Sequence, residues 1–150
     1  VYHRDGLFGF PQDHTKALEL WHRAAELGYT LAYASIGYAY DNRDGVERDK
    51  KKANYYYELA AMRGVVGARY NLGLNEANAG NMDNALKHWM IAIGGGYTDS
   101  LNNVKVLYPK GLATKDDYTK ALQLYQVYLG EIKSRQRDEA AAADEKYRYY

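Results

Sequence analysis

The chain contains no cysteine, and this absence removes several classes of site at once. A disulfide framework, a thiolate-bound zinc ion and a cysteine nucleophile all require the missing sulfur atom. The absence leaves the cellular compartment open, and a cytoplasmic or nuclear location is the expectation.

The chain also lacks an excess of either charge and any long apolar run. Twenty Lys and Arg oppose 19 Asp and Glu, which leaves a formal net charge of +1. Such a balance produces no field that would favour nucleic acid or an anionic membrane as partner. No apolar stretch approaches the roughly 20 residues that cross a bilayer, so membrane insertion is not expected.

What remains is a globular composition, with 47% hydrophobic and 26% charged residues. A length of 150 residues suits one compact domain or one short stack of repeats. The 17 tyrosines are unusual. Because tyrosine combines an apolar ring with a polar tip, it suits surfaces between helices that are half buried and half solvated.

Four segments of the chain align with one another. Their shared alanines are followed four residues later by an aromatic residue, and successive alanines are spaced by 36, 32 and 36 residues. The segments are KALELWHRAAELG from Lys16, KANYYYELAAMRG from Lys52, NALKHWMIAIGGG from Asn84 and KALQLYQVYLGEI from Lys120. A fixed period of this length indicates a helical-repeat architecture.

The same segments carry helix start and stop signals in register. Four residues before each alanine stands a side chain that accepts hydrogen bonds from a first helical turn: Asp13, Asp49, Asn81 and Asp117. Three segments end at Gly28, Gly64 and Gly96, where a left-handed residue ends a helix without a Cβ clash.

Between these segments lies a second set of predicted helices. They are AYASIGYAY from Ala32, ARYNLGLNE from Ala68 and the degenerate SLNNVKVLY from Ser100. Glycine inside a helix costs about 0.5–1 kcal/mol relative to alanine. Gly37 and Gly73 share one repeat position, so we expect both to admit a neighbouring helix at close range.

The string AYASIGYAYDNRDGVERDKKKANYYYELAAMRG resembles a Sel1-like repeat, a relative of the tetratricopeptide repeat. The resemblance implies an all-α, right-handed solenoid of helical hairpins, with about three and a half repeats. The implied units are a half repeat at 9–28, repeats at 29–64, 65–96 and 97–132, and a charged C-terminal helix at 133–150. Lys105 and Ile132 stand where the pattern has glycine. Because Ile132 replaces the glycine that would stop the last helix, we expect this helix to run on or to bend into the charged stretch that follows. The chain, which opens at Val1, is expected to be a fragment of a longer protein.

The sequence of the repeats also resembles that of proteins in which Sel1 repeats follow a zinc-binding RING module. This chain has no such module because RING requires cysteine. If the parent protein carried one, the resemblance would make this segment the substrate-holding part of a ubiquitin ligase.

The resemblance implies that the first helix of each hairpin lines a concave face used for peptides or proteins. On these helices the residues predicted to face away from the packing are Tyr38, Asn42, Asn71, Asn75, Asn78 and Asn103. Amide side chains carry donors and acceptors and can pair with any peptide backbone. The alternative is that Asn71 belongs to the ordinary repeat pattern and the other side chains are merely solvated.

Catalysis is not predicted. The four histidines, His3, His14, His22 and His88, have no metal-ligand spacing, and the acidic residues fit helix starts better than a general acid and base pair. The glycine run at 94–96 follows a helix and lacks the ending of a phosphate loop. Sel1-type proteins linked to lactam hydrolysis resemble a cysteine-rich variety, unlike this chain. We therefore expect no cofactor and no metal.

Two functions remain. The first is an adaptor that binds a protein or peptide on the concave face. The second is a structural module that self-associates through its N-terminal hairpin face, for which the sequence offers no evident cap.

Overall fold

The structure is a computed structural model that describes residues 10–43 and 46–147. These residues form seven α-helices and contain no strand. The helices are α1 (Phe10–Glu26), α2 (Thr30–Asn42), α3 (Lys50–Met62), α4 (Val66–Asn78), α5 (Met82–Gly94), α6 (Thr98–Leu107) and α7 (Lys115–Tyr147).

Glycine ends α1, α3 and α5 as the sequence predicted. Gly28, Gly64 and Gly96 have φ of +92°, +89° and +87°. In each turn the glycine N–H and the N–H of the next residue donate to carbonyls of the last helical turn, as Gly64 does to Ala61 at 3.0 Å and Val65 to Ala60 at 3.1 Å. This pattern satisfies carbonyl groups that a helix end otherwise leaves without a partner.

Two of the four predicted helix starts, Asp49 and Asn81, directly precede their helices, whereas Asp13 and Asp117 lie inside theirs. Asp49 precedes α3, and its side chain accepts a hydrogen bond from the Lys52 N–H at 3.1 Å. Asp13 instead lies inside α1, which already begins at Phe10. Asp117 lies inside α7, where Thr114 and Asp117 each accept from the other's N–H in a capping box. Both helices begin earlier than the acidic residue because the preceding residues are also compatible with a helix.

The chain divides within α5 into two compact units, with the boundary between His88 and Trp89. In the first unit, two apolar clusters hold α1 to α2 and α3 to α4. The clusters meet around half-buried Tyr33 and Tyr40, which pack against both. The buried members are Leu18, Ala25, Ala32, Ile36 and Ala39 in one, and Ala53, Tyr57, Ala60, Ala61, Ala68 and Leu72 in the other.

Gly37 admits α3 at close range, as its sequence position predicted. A Cβ built on Gly37 would lie 2.7 Å from Cδ1 of Tyr57 and 3.1 Å from the carbonyl oxygen of Ala53. The absence of a side chain therefore allows the ring of Tyr57 to pack directly against α2, where it is fully buried. Gly73, at the same repeat position, is also buried.

In the second unit α6 packs against α7. The ring of Tyr128 covers Gly96, since a Cβ there would lie 2.2 Å from Cζ of that ring. The last helix continues past Ile132 without a break, as expected, and all of residues 133–146 are exposed. Within the described part of the chain, no helix is both long and apolar enough to span a bilayer.

The aromatic residue of the four aligned segments is buried in two of them, half buried at Tyr125 and exposed at Trp21. Tyr57 and Trp89 expose 1% and 3% of their surface, whereas Trp21 exposes 41%. Trp21 therefore contributes less buried surface to the packing than its counterparts Tyr57 and Trp89.

Candidate functional site

The predicted binding residues of α2 and α4 occupy three kinds of environment. Tyr38, Asn42 and Asn78 are exposed, and Asn71 is half buried. The amide of Asn42 donates to the carbonyl oxygen of Tyr38 at 3.1 Å, within its own helix. These four side chains can contact a ligand, whereas Asn75 cannot do so freely.

The prediction that Asn75 faces away from the packing is wrong. It is 8% exposed. Its Oδ1 accepts a hydrogen bond from Nζ of Lys50 at 3.0 Å, and its Nδ2 donates to Oδ1 of Asn54 at 2.7 Å. The amide of Asn75 bonds two residues of α3, so it fixes the position of α4 instead of facing a ligand.

Lys50 connects α2 and α4 through α3. Besides Asn75 of α4, its Nζ bonds Oδ1 of Asp41 in the last turn of α2. The other oxygen of Asp41 accepts from the hydroxyl of Tyr57 at 3.3 Å. Burial, followed by the nearby carboxylate of Asp41, raises the pKa of Tyr57 far above its usual range. Tyr57 therefore stays protonated and keeps donating to Asp41.

The two helices that Lys50 connects carry equivalent faces. The exposed and half-buried positions at spacing i, i+4, i+7 and i+11 are the same in both helices, 36 residues apart. We call this surface the α2/α4 face; it consists of Leu31, Ser35, Tyr38 and Asn42 on α2, and Gly67, Asn71, Leu74 and Asn78 on α4.

Asn103, the sixth predicted residue, lies on α6 in the second unit and is half buried. It is separate from the α2/α4 face, which belongs to the first unit. Sequence reasoning missed Lys50 and the four remaining members of the face. The repeat of one helical spacing at a distance of 36 residues was the signal that could have found Leu31, Ser35, Gly67 and Leu74.

The histidines form no metal site among the described residues, in which no group of three or more candidate ligands comes together. His22 lies edge-on to Tyr56 in the packing of α1 on α3, with 5.7 Å between ring centroids. His88 of α5 has Nδ1 3.4 Å from Nη1 of Arg69 in α4. His3 lies outside the described residues.

Burial, and next the guanidinium of Arg69, lower the pKa of His88, while the carboxylates of Glu76 and Glu58 oppose them. A neutral imidazole accepts from Arg69 at this distance, and a protonated one would repel it. His88 is thus a packing residue of the α4–α5 pair.

Solved structures with this arrangement exist. A Sel1 repeat protein from Oxalobacter formigenes is 30% identical with a TM-score of 0.64, covering 77% of this chain and 49% of that chain. The protein c5321, a protective antigen of uropathogenic Escherichia coli strains, is 30% identical with a TM-score of 0.62, covering 83% of this chain and 30% of that chain. These similarities confirm the predicted all-α repeat solenoid.

Among characterised proteins, chitin synthase regulatory factor 3 of Schizosaccharomyces pombe is 33% identical over 73 residues. That stretch is 49% of this chain and 8% of the yeast protein. The chain therefore spans less than half of this relative and of the Oxalobacter protein.

The model of the Sel1 repeat matches residues 1–29, 30–65 and 106–126, which together are more than half of the chain. Residues 66–105 lie outside the match, although α4 keeps the glycine and alanine positions of α2. The chain belongs to the Sel1 repeat family.

Proposed function

We propose that this chain is an interaction module that holds a peptide or protein segment on the α2/α4 face and carries out no chemistry of its own. The observation that carries the proposal is the recurrence, 36 residues apart, of one helix face of exposed and half-buried positions that carry amide, hydroxyl and apolar groups. Sel1 repeats are interaction scaffolds, and the described residues contain no candidate metal centre.

In this proposal Tyr38, Asn42, Asn71 and Asn78 contact the partner directly. Asn75 is a positioning residue, because it acts through its bonds to Lys50 and Asn54. Asn103 is a further candidate contact, on α6 of the second unit.

Affinity capture from native extract, followed by quantitative mass spectrometry, tests the binding role. The variant combines Tyr38→Ala, Asn71→Ala and Asn78→Ala. The matched control combines Lys51→Ala, Asn84→Ala and Lys87→Ala, three exposed residues outside the face. We expect the first to lose a partner that wild type and the control retain. Both should melt within a few degrees of wild type, since changes at exposed positions cost about 0.5 kcal/mol or less. Equal recovery of every captured protein by all three would contradict the proposal.

Asn75→Ala separates a positioning role from a contact role. Truncation leaves Lys50 and Asn54 without a shared partner in a partly buried site, so we expect a loss of about 1–3 kcal/mol in the free energy of unfolding. Asn78→Ala is the control, and its loss should stay below about 0.5 kcal/mol. Urea denaturation measures both, and similar losses would remove the positioning role from Asn75.

A narrower form of the proposal concerns the pathway. A binding module could serve as the substrate-holding part of a ubiquitin ligase, or it could act on an enzyme as a regulatory factor, as the name of the fission-yeast relative says of that protein. Co-purification of the full-length protein with ubiquitin-conjugating activity supports the first role, and its absence contradicts it.

Self-association is the second candidate function, favoured by Trp21. This side chain is 41% exposed at a repeat position where Tyr57 and Trp89 are buried. A helix of a second copy laid on α1 would cover it as α2 covers Tyr57. Light scattering over a concentration range is expected to show a dimer that Trp21→Lys abolishes, and a monomer at every concentration would contradict this function.

A further inference from the structure

The eight residues of the α2/α4 face are all uncharged, in a chain of which 26% is charged. Helices of repeat proteins usually place Lys, Glu and Arg on their exposed positions, because such residues favour both helix formation and solubility. The absence of Lys, Glu and Arg from the same face of two successive repeats therefore needs a physical reason beyond solvation.

The charged residues of these two helices are directed elsewhere. Asp41, the one charged residue of α2, bonds Lys50 and Tyr57 of α3. In α4, Arg69 contacts His88 of α5, and Glu76 accepts from the amide of Asn81 at 3.0 Å. The charge of Lys50 at the border of the face is balanced by Asp41. A ligand on this face consequently meets amides, a hydroxyl and apolar groups, with no free charge among the eight residues.

We infer that the α2/α4 face selects an uncharged peptide segment in an extended conformation; this inference rests on the proposed function. A charged ligand side chain would lose its hydration on this surface without gaining an ion-pair partner, which is costly. The amides of Asn42, Asn71 and Asn78 can instead pair with backbone groups. An extended segment offers those groups, whereas a helix has already satisfied its own.

Apolar positions supply the rest of the recognition. Leu31 and Tyr38 are exposed on α2, and Leu74 is half buried on α4. They alternate along each helix with the polar members of the face, so small or apolar side chains of the ligand can rest between its backbone contacts. Tyr38 offers ring area at a low cost in conformational freedom.

Selection from a random peptide library displayed on phage, carried out at low and at high salt, tests the inference. We expect the enriched peptides to be depleted in Asp, Glu, Lys and Arg relative to the starting library. The affinity of an enriched synthetic peptide should change less than about twofold with salt, because screening acts on charges. Enrichment of acidic or basic peptides, or of peptides with an amphipathic helical pattern, would overturn it.

One isosteric substitution sharpens the test. Asn71→Asp places a carboxylate on the face with almost no change of shape, and Asn84→Asp makes the same change at an exposed site on α5 outside the face. For an enriched uncharged peptide we expect Asn71→Asp to lower affinity at least about tenfold, through the uncompensated burial of charge. Asn84→Asp should stay within about twofold of wild type. Equal affinities of the two variants would overturn the inference.

Different results would overturn the binding role of the α2/α4 face and its selection of uncharged segments. If capture from extract depends on the face but the enriched peptides are charged, or none is enriched, the inference is overturned and the binding role stands. If neither capture nor selection depends on the face, both are overturned.

Discussion

Gly64 and Gly96 end their helices in the same left-handed conformation but differ in what surrounds them. A Cβ on Gly64 would meet nothing within 4 Å, whereas a Cβ on Gly96 would overlap the ring of Tyr128 at 2.2–2.6 Å. Gly64 is needed only for its left-handed backbone, whereas Gly96 is also needed because a side chain would have no space there. Both contribute to the same sequence signal, a glycine at the end of a repeat.

We expect Gly64→Ala to lower the free energy of unfolding by about 1–2 kcal/mol, the strain of a left-handed L-residue. Gly96→Ala should cost about 1–3 kcal/mol more, since the added methyl group forces Tyr128 to move. Urea denaturation of the two variants measures the difference. Equal losses would mean that Tyr128 yields without cost.

The glycines that end helices and Asn75 differ in how far along the chain their interaction partners lie. Gly28, Gly64 and Gly96 were predicted correctly because a helix end is decided by neighbours within a few residues. Asn75 was misplaced because Lys50, which reaches it from 25 residues away, leaves no mark on the local pattern.

At the scale of elements, the pairing of α4 with α5 should make stability depend on pH. His88 faces Arg69 and is partly buried, which together hold its pKa below the ordinary value. The unfolded chain therefore takes up a proton before the folded protein does. We expect protonation of His88 to have no effect on stability well above pH 6.5, the usual histidine pKa, and to lower stability progressively as pH falls below it.

Melting curves of wild type and His88→Gln between neutral pH and the onset of carboxylate protonation measure this dependence. Glutamine keeps an acceptor for Arg69 and cannot become charged in this range. The variant should lose less stability than wild type as the solution becomes more acidic. An unchanged pH dependence would show that protonation of His88 does not drive the effect.

Helix starts were the least accurate element-scale prediction, again for a physical reason. The spacing from each repeat alanine pointed to Asp13 and Asp117, yet α1 and α7 begin three and two residues earlier, at Phe10 and Lys115. Threonine and aspartate can share a capping box, so either could have been the cap. Thr114 takes that role at α7.

At the scale of the whole molecule, the second half of α7 should add little to stability. Residues 133–146 are all exposed, and an unsupported helix of this length is marginal in water. We expect a chain ending at Ser134 to unfold with a free energy within about 0.5 kcal/mol of wild type.

Tyr128→Ala is the comparison for that truncation, since its ring covers Gly96 in the packed half of the same helix. Its loss should be about 2–4 kcal/mol. Urea denaturation of both forms tests the contrast, and a large loss on truncation would show that the exposed half is packed in solution.

The periodicity of the sequence predicted the architecture. The absence of charge on the α2/α4 face became evident only from the structure. The 36-residue step and the glycine ends were enough to predict paired helices, and the resemblance of residues 32–64 to a Sel1-like repeat predicted the family. The uncharged face could not be predicted as such, because the partners of Asp41, Arg69 and Glu76 lie outside their own helices.

The helices α2 and α4 each contribute four residues to the α2/α4 face, and equivalent residues lie 36 positions apart along the chain. Duplicating a unit would therefore lengthen the surface by one further set of four and leave the existing sets intact. A protein built in this way can acquire reach for a longer target by copying a stretch of its gene, with no need to redesign what it already recognises.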